Sequence, residues 1–296
     1  MNFEIANVTF ALKFDYPLTP QDLDSTFISF LKTPNASSAT DIDISFKLDN
    51  MPDTTEMTKI FDCSQSWYMF KNGFNYYMVT KSPNLDNKPI WVVSFDHNIK
   101  RVTVYLGNRA IIKSNDRVTV PNLISFPVGQ ILLMYFLSHI KGALIHAAGL
   151  GFNGRGYIFP GKSGAGKSTL TRQFAHRNDF EFLSDDRIAV RKIDNQLNIF
   201  GTPWPGDAGI ALNKSVNLSG IFFITQANYN RIEEIKPQKA LEKLLPVVSI
   251  PWYDKEVMIK ILDFCDDLFS NIPAYELYFK PDSEVVDVFK IFVSRQ

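Results

Sequence analysis

The chain has 296 residues, of which 45% are hydrophobic and 21% are charged, and 31 Lys and Arg residues balance 31 Asp and Glu residues. This length and composition predict a globular protein large enough for two domains. Because no long run of one charge occurs, the charge pattern argues against nucleic acid or an acidic membrane surface as the main partner. Cys63 and Cys265 lack the spacing of metal ligands and suit a reducing cytoplasm, where both are expected to be packing residues.

The sequence predicts neither an export signal nor a membrane anchor. Residues 1–5 lack the basic start and the apolar block of a signal peptide, so a cytoplasmic location without a membrane partner is expected. The most apolar stretch, residues 123–140, is interrupted by Pro127, Gly129 and His139 and is at the short end for a membrane span. A buried helix from about Val128 is the better interpretation.

Residues 1–115 are predicted to form a β-rich domain of unknown role. Strands are predicted where β-branched and aromatic residues alternate or cluster, at residues 41–48, 67–70, 76–80, 90–95 and 101–106. Asn72-Gly73 predicts a tight hairpin between two of them. A helix from Pro20 to about residue 31 and a loop over residues 33–38 are also expected. The aromatic residues of this half could face a partner, although the core of a small sheet accounts for them at least as well.

From residue 116 the pattern changes to strands that alternate with helices, which predicts an α/β domain over residues 116–296. Strands are expected at residues 143–150, 156–160, 181–183, 187–192, 197–200 and 221–225. Helices are expected at residues 168–175, 238–245, 255–271 and 283–293. Asn153-Gly154 predicts the turn between the first two strands.

A glycine-rich segment between the second strand and the first helix of this domain fits the pattern GxxxxGK[ST]. Its residues are Gly161, Lys162, Ser163, Gly164, Ala165, Gly166, Lys167 and Ser168, followed by Thr169. Glycines let backbone N–H groups surround a phosphate, Lys167 can reach the β- and γ-phosphates, and the Ser168 hydroxyl can ligate Mg²⁺. The N-terminal end of the helix that follows carries a partial positive charge, which also favours the negative phosphates. The segment therefore predicts a site for a nucleoside triphosphate and Mg²⁺, with a glycine-rich turn that merely contains a lysine as the alternative.

An acidic pair, Asp185-Asp186, follows the strand predicted at residues 181–183. A crossover connection would return the chain beside the glycine loop at this point. Adjacent carboxylates point in different directions from an extended backbone, so one can hold a metal while the other faces an acceptor hydroxyl. The alternative is a solvated turn before the next strand.

Two further features are less specific. An isolated histidine on an apolar strand, such as His146, is more often a hydrogen-bonded core residue than a catalytic one. Residues 201–209 form a small-residue loop that contains Trp204 and Asp207. That loop fits a substrate-covering element and a plain connection equally well.

Together and in this order, these features resemble the catalytic domain of HPr kinase/phosphorylase, within the fold group that also contains ATP-dependent phosphoenolpyruvate carboxykinase. The resemblance covers residues 120–296 and rests on His146, Gly156, the glycine loop, Asp185-Asp186, the strand at residues 221–225 and Arg231. It implies an α/β fold with a phosphoenolpyruvate carboxykinase/HPr-kinase-like P-loop core, and the residue pattern of the first 115 residues places a smaller β-rich α+β domain before it. Because HPr kinases are hexamers, it also implies a homo-oligomer.

The resemblance further implies residue roles. Asp186 would be the general base for the acceptor, Lys167 would bind phosphates, and His146 and Arg231 match catalytic positions. Ser168 would hold Mg²⁺ with Asp185 beside it, and Asp207 is the nearest counterpart of a metal-binding glutamate. Arg231 suits stabilisation of charge on the transferred phosphoryl group, with a surface salt bridge as the alternative.

The chain departs from the family at two positions, which marks it as a divergent member. Thr169 replaces a glutamate that follows the loop serine, and residues 201–209 replace a glycine-rich signature. These departures argue against HPr as the acceptor and against phosphorylase activity. The predicted function is transfer of the γ-phosphoryl group of ATP to a hydroxyl of a peptide, a protein serine or a small molecule.

Two other functions also fit parts of the sequence. A non-catalytic ATP-binding sensor or peptide-delivery module is the main alternative. An ABC-type ATPase is suggested by Leu218-Ser219-Gly220, but no apolar strand of the chain ends in Asp-Glu.

Overall fold

The computed structural model describes residues 1–14, 24–33, 40–48, 50–64, 66–81, 89–107, 110, 112–114, 117–119, 126–175 and 177–296. Two compact units, Met1–Phe136 and Leu137–Gln296, account for this part of the chain. An apolar helix spans the division between them, whereas the sequence-based boundary at residues 115 and 116 lies ahead of that helix and stays a prediction. Both units contain a large sheet, which agrees with an α/β protein. No helix in the described ranges is long and apolar enough to cross a membrane.

The first unit is built on one nine-stranded sheet and a separate two-stranded hairpin. Its elements are β1 Asn2–Ile5, β2 Val8–Lys13, α1 Ser25–Ile28, β3 Leu31–Lys32, β4 Ile42–Leu48, β5 Thr58–Asp62, β6 Trp67–Asn72, β7 Asn75–Lys81, β8 Pro89–Asp96, β9 Arg101–Leu106, β10 Ile112–Ser114, β11 Arg117–Thr119 and the spanning helix α2 Val128–His139. The strand order of the large sheet is β3-β1-β2-β4-β9-β8-β7-β6-β5. Only the β2–β4 and β4–β9 pairs among these neighbours are parallel.

Most sequence predictions for this unit are confirmed. All five predicted strands form, Gly73 turns the β6–β7 hairpin with a φ of +59°, and α2 begins at Val128. The predicted helix is wrong at its end, because α1 stops at Ile28 and Leu31 pairs with Phe3 in the sheet. The start of that helix at Pro20 and most of the loop at residues 33–38 lie outside the described residues.

The two cysteines differ in burial. Cys265 lies in the core, where burial raises the pKa of its thiol to about 12, as expected of a packing residue. Cys63 is exposed at the end of β5, so the prediction that it packs in a core is wrong.

The second unit carries the glycine loop. Its elements are β12 Gly142–Phe152, β13 Arg155–Pro160, α3 Lys167–Ala175, β14 Phe180–Ser184, β15 Arg187–Ile193, β16 Gln196–Phe200, β17 Ser215–Gln226, β18 Arg231–Ile235, α4 Pro237–Leu244, a 3₁₀ turn Leu245–Val247, α5 Lys255–Asn271, β19 Ala274–Phe279 and α6 Glu284–Val293. The strand order is β13-β12-β15-β16-β17-β19-β18, with β14 also beside β12. Because β13 pairs with β17 as well, the first five strands of this order close into a ring.

The predicted strands and helices of this unit are confirmed, but the predicted alternation is not. Five strands, β14 to β18, follow one another without an intervening helix, and most of their pairings are antiparallel. Short turns such as Asp194-Asn195, both with positive φ, make these hairpins. Parallel pairing is confined to β13, β17 and β19, which place their carboxyl ends at one edge. The prediction missed β18 and β19.

An aromatic core fixes the helices that flank this parallel part. Phe159 on β13, Phe222 on β17, Phe174 on α3 and Phe289 on α6 are fully buried against one another. Burying a phenylalanine side chain stabilises a fold by about 1.5–3 kcal/mol. The C-terminal part of α3, the helix that follows the glycine loop, is therefore held by this packing.

A buried carboxylate ties α4 to the other face of the sheet. Glu276 on β19 accepts hydrogen bonds from Thr225, Lys239 and Lys243, and its side chain is 7% exposed. Burial raises the pKa of Glu276, but the hydrogen bonds from Thr225, Lys243 and Lys239 outweigh it and lower the pKa to about 2. A carboxyl with a depressed folded-state pKa stabilises the fold above its unfolded-state pKa and loses that contribution as the pH falls.

We expect Glu276→Gln to remove a pH-dependent part of the stability. Between pH 4.5 and pH 2 the wild type should lose up to about 3 kcal/mol that the variant does not lose, as the depressed pKa requires. Urea unfolding at several pH values measures this difference. Glu181→Gln is the matched control, because Glu181 forms an exposed ion pair with Lys214 that contributes little. Equal pH slopes for the wild type and Glu276→Gln would contradict the assignment.

Candidate active site

The glycine loop connects β13 to α3 at the carboxyl edge of the parallel strands. Gly164 and Gly166 have φ values of +82° and +104°, which residues with a side chain rarely adopt. The side-chain amide of Gln226, at the end of β17, donates to the Gly164 carbonyl at 3.2 Å. Lys167 is buried, and its Nζ donates to the carbonyls of Gly161 at 2.7 Å and Lys162 at 3.3 Å. Loop and lysine are thus held in place by backbone contacts.

His146 lies beside this loop because β12 runs antiparallel to β13. Ala147 pairs with Pro160, and the Gly161 N–H donates to the His146 carbonyl at 3.1 Å. His146 therefore lies opposite the point where β13 ends and the glycine loop begins. Its side chain faces the cavity described below and is 20% exposed, so the interpretation as a core histidine is wrong.

The acidic pair reaches the same place by a route that the sequence analysis did not foresee. Both β14 and β15 pair antiparallel with β12, and Asp185-Asp186 forms the bend between them. The Ala147 N–H donates to the Asp186 carbonyl at 3.0 Å, which holds the bend against β12. The expected crossover beside the loop is therefore wrong, and a solvated turn is excluded because Asp185 is 2% exposed.

Lys167, His146 and Asp186 meet in one contact chain. The His146 Nε2 lies 2.9 Å from Lys167 Nζ and 2.8 Å from Asp186 Oδ1. One ring nitrogen can accept a hydrogen bond from an ammonium group or donate one to a carboxylate, but not both. Only one of the two contacts is a hydrogen bond in any protonation state, so a group that draws Lys167 away frees His146 to donate to Asp186.

Burial and the charges around these three side chains shift the pKa values of Asp186 and Lys167. Burial raises the pKa of Asp186, but the hydrogen bond with His146 and the positive charges of Arg187, His146 and Lys167 outweigh it and hold the pKa below its ordinary value. Burial, together with the nearby Arg187, lowers the pKa of Lys167 despite the attraction of the two aspartates. Asp186 is therefore ionised at neutral pH and available as an acceptor of hydrogen bonds.

Asp185 holds a loop. Its Oδ1 accepts hydrogen bonds from the N–H groups of Gly206 at 2.9 Å and Ile210 at 3.2 Å, and its Oδ2 accepts one from Ala208 at 2.7 Å. A Cβ on Gly206 would lie 2.9 Å from Asp185 Oδ2, so only glycine allows this approach. Most of the oxygen lone pairs of Asp185 are therefore occupied by the backbone of residues 206–210.

These groups line one cavity of about 350 Å³. The lining residues are His146, Ser163, Gly164, Gly166, Lys167, Ser168, Thr169, Asp185, Asp186, Gly206, Asp207 and Gln226. Asp207 is exposed at the rim, between the amides that bind Asp185, so the 201–209 segment borders the site. No group of three or more His, Cys, Asp or Glu side chains in the described ranges is placed to hold a metal ion. The metal set Ser168, Asp185 and Asp207 stays a prediction.

Arg231 is not among the residues that line this cavity. It lies at the start of β18, forms an ion pair with Glu233, and its guanidinium stands 5.6 Å and 5.3 Å from the ring centres of Tyr229 and Tyr278. β17 and β19 lie between β18 and the strand that carries the glycine loop, and the catalytic role of Arg231 stays a prediction.

The sequence analysis missed two residues of this neighbourhood. Arg187 Nε lies 3.4 Å from Asp186 Oδ2, and Gln226 supports the glycine loop from β17. Gln226 could have been predicted, because it is a polar residue at the carboxyl end of an apolar strand, where ligands bind in α/β sheets. For Arg187 the signal was its place directly after the acidic pair.

No family model and no curated protein matches the chain. One solved structure that does match is the HPr(Ser) kinase/phosphatase from Coxiella burnetii, with 13% sequence identity and a TM-score of 0.31 over 51% of this chain and 97% of that chain. The likeness is structural and weak. The argument for a function therefore rests on the site itself.

Proposed function

We propose that the chain is an ATP- and Mg²⁺-dependent kinase that transfers a γ-phosphoryl group to a hydroxyl. One observation supports this most strongly. The loop lysine Lys167, the strand residue His146 and the bend residue Asp186 come from three separate segments and are in contact inside one cavity. A glycine loop alone binds phosphates, but a carboxylate within reach of the loop lysine adds a group that can orient an acceptor.

In the proposed reaction the acceptor oxygen attacks the γ-phosphorus as its proton passes to Asp186. The new O–P bond forms, the bond from the γ-phosphorus to the bridging oxygen breaks, and ADP leaves with that oxygen. Lys167 neutralises charge on the phosphates. Asp186 is a weak base because its pKa is lowered. In a loose transition state, however, the main requirement is that the acceptor hydroxyl is aligned with the γ-phosphorus. When phosphates draw Lys167 away, His146 is free to hold Asp186 in place.

The residues present fit a hard cation in part. The Ser168 hydroxyl and the exposed Asp207 carboxylate line the cavity and are oxygen ligands of the kind that Mg²⁺ prefers. Asp185 adds little, since three amides already bind its carboxylate. Bound Mg²⁺ would supply positive charge against the phosphates. The acceptor, as a peptide, a protein or a small molecule, and the homo-oligomer stay predictions.

Transfer from γ-labelled ATP into lysate proteins and metabolites tests the proposal. We expect labelled product with the wild type and none with Lys167→Ala, because the loop loses its positive charge. Lys214→Ala is the matched control, since Lys214 is an exposed surface lysine and should keep full transfer. ATP binding without transfer or hydrolysis would contradict the kinase and support a sensor, whereas no ATP binding would contradict both.

A further inference from the structure

The two sides of the glycine loop, along the edge of the sheet, carry different residues. His146 and Asp186, which would handle the transferred phosphoryl group, lie on the β12 and β15 side of the glycine loop. Gln226 contacts the loop from the opposite side, at the end of β17. A nucleotide whose γ-phosphate faces Asp186 therefore leaves the loop toward β17 and β19. This orientation of the nucleotide rests on the proposed function.

An aromatic cluster lies at that end of the edge. We call Tyr229, Tyr278 and Arg231 the tyrosine-arginine cluster. The two rings are 5.6 Å apart between centres with an interplanar angle of 34°, and the Arg231 guanidinium stands within 6 Å of both. Tyr229 is 46% exposed, whereas most aromatic side chains of this unit are buried. The cluster thus presents a planar aromatic surface and a planar cation to solvent.

Hydrogen bonds fix the cluster to the strands that carry the loop. The Ala227 N–H donates to the Phe279 carbonyl at 3.0 Å. Asn230 accepts from the Lys280 N–H and donates to Asp282, both at 2.8 Å. The segment between β17 and β18 is therefore tied to the end of β19. Neighbouring strands lie about 4.8 Å apart, so the end of β19 is roughly 10 Å from the loop strand β13.

We propose that the tyrosine-arginine cluster binds the nucleobase of the nucleotide whose phosphates occupy the glycine loop. Bases stack on aromatic rings and on guanidinium planes, and Tyr229 and Arg231 offer one of each beside the carboxyl end of β19. Stacking tolerates any base, so the cluster would favour a nucleotide over a bare polyphosphate without selecting adenine strictly. Arg231 then serves the base, in place of the predicted role at the γ-phosphate.

Calorimetric titration of ATP and of inorganic tripolyphosphate, both with Mg²⁺, tests this inference. We expect Tyr229→Ala and Arg231→Ala each to weaken ATP binding about tenfold and to leave tripolyphosphate binding unchanged. Tyr229→Phe should bind ATP as the wild type does. Trp252→Ala is the control, because Trp252 is an exposed aromatic residue outside the cavity and the cluster.

The outcomes separate this inference from the proposed function. Wild-type ATP affinity in Tyr229→Ala would overturn the inference while leaving the kinase proposal intact. Equal loss of ATP and tripolyphosphate binding in Arg231→Ala would also overturn it, because that result places the arginine at the phosphates. If the wild type binds neither ligand, the nucleotide site itself is wrong and the inference falls with it.

Discussion

Asp186→Asn is expected to lower the rate of phosphoryl transfer by about 100- to 10,000-fold. The amide keeps the shape of the carboxylate but cannot take the proton of the acceptor. ATP affinity should stay the same or rise slightly, because the substitution removes a negative charge that attracts Lys167 and repels the phosphates. Single-turnover transfer from labelled ATP gives the rate, and titration calorimetry gives the affinity.

Asp179→Asn is the matched control for this experiment. Asp179 is a half-exposed carboxylate in an ion pair with Lys290, and it does not line the cavity, so its loss should leave transfer unchanged. Full transfer activity in Asp186→Asn would rule out the proton-accepting role. A large loss of ATP affinity in that variant would instead place Asp186 among the groups that bind the nucleotide.

The local parts of this site were predictable from the sequence. A glycine loop carries its own pattern, and the helices after it have a clear apolar period, so β13, α3 and α5 lie close to where the sequence placed them. Turn residues such as Asn153-Gly154 were equally informative, and both adopt positive φ. Signals of this kind lie within a few residues of the feature that they determine.

The long-range parts were not predictable in the same way. The contact between His146 and Asp186 depends on the register of β12 against β15, which pairs His146 with Arg187. A crossover and an antiparallel return can both bring an acidic pair near the loop, and hydrophobic pattern alone does not choose between them. The position of the pair beside the glycine loop was predicted correctly, and the crossover that was expected to bring it there is wrong.

Residues that bind backbone groups leave still less trace in a sequence. The partners of Asp185 are the N–H groups of Gly206, Ala208 and Ile210, and every residue except proline carries such a group. Only Gly206, where a side chain would collide with Asp185, hinted at a close approach. A metal role for Asp185 was therefore the natural prediction from the acidic pair.

Asp185→Asn is expected to destabilise the second unit by about 2–4 kcal/mol, because a buried charge that satisfies three amides is lost. Oδ1 accepts two N–H groups and Oδ2 accepts one, so the asparagine loses least by turning its NH₂ toward Ala208. Two donors then face each other, and residues 206–210 should exchange their amide hydrogens faster. Urea unfolding measures the stability, and hydrogen exchange measures the loop.

Asp207→Asn separates this structural role from metal binding. Asp207 lies in the same loop but is exposed, so its substitution should change the stability by no more than about 0.5 kcal/mol. If Asp207 helps to hold Mg²⁺, the variant should instead need more Mg²⁺ for half-maximal transfer. A wild-type unfolding free energy for Asp185→Asn, together with a raised Mg²⁺ requirement, would show that Asp185 acts on the metal rather than on the loop. A lowered unfolding free energy for Asp185→Asn with an unchanged Mg²⁺ requirement would show that the Asp185 carboxylate supports Asp207 and the rim of the cavity.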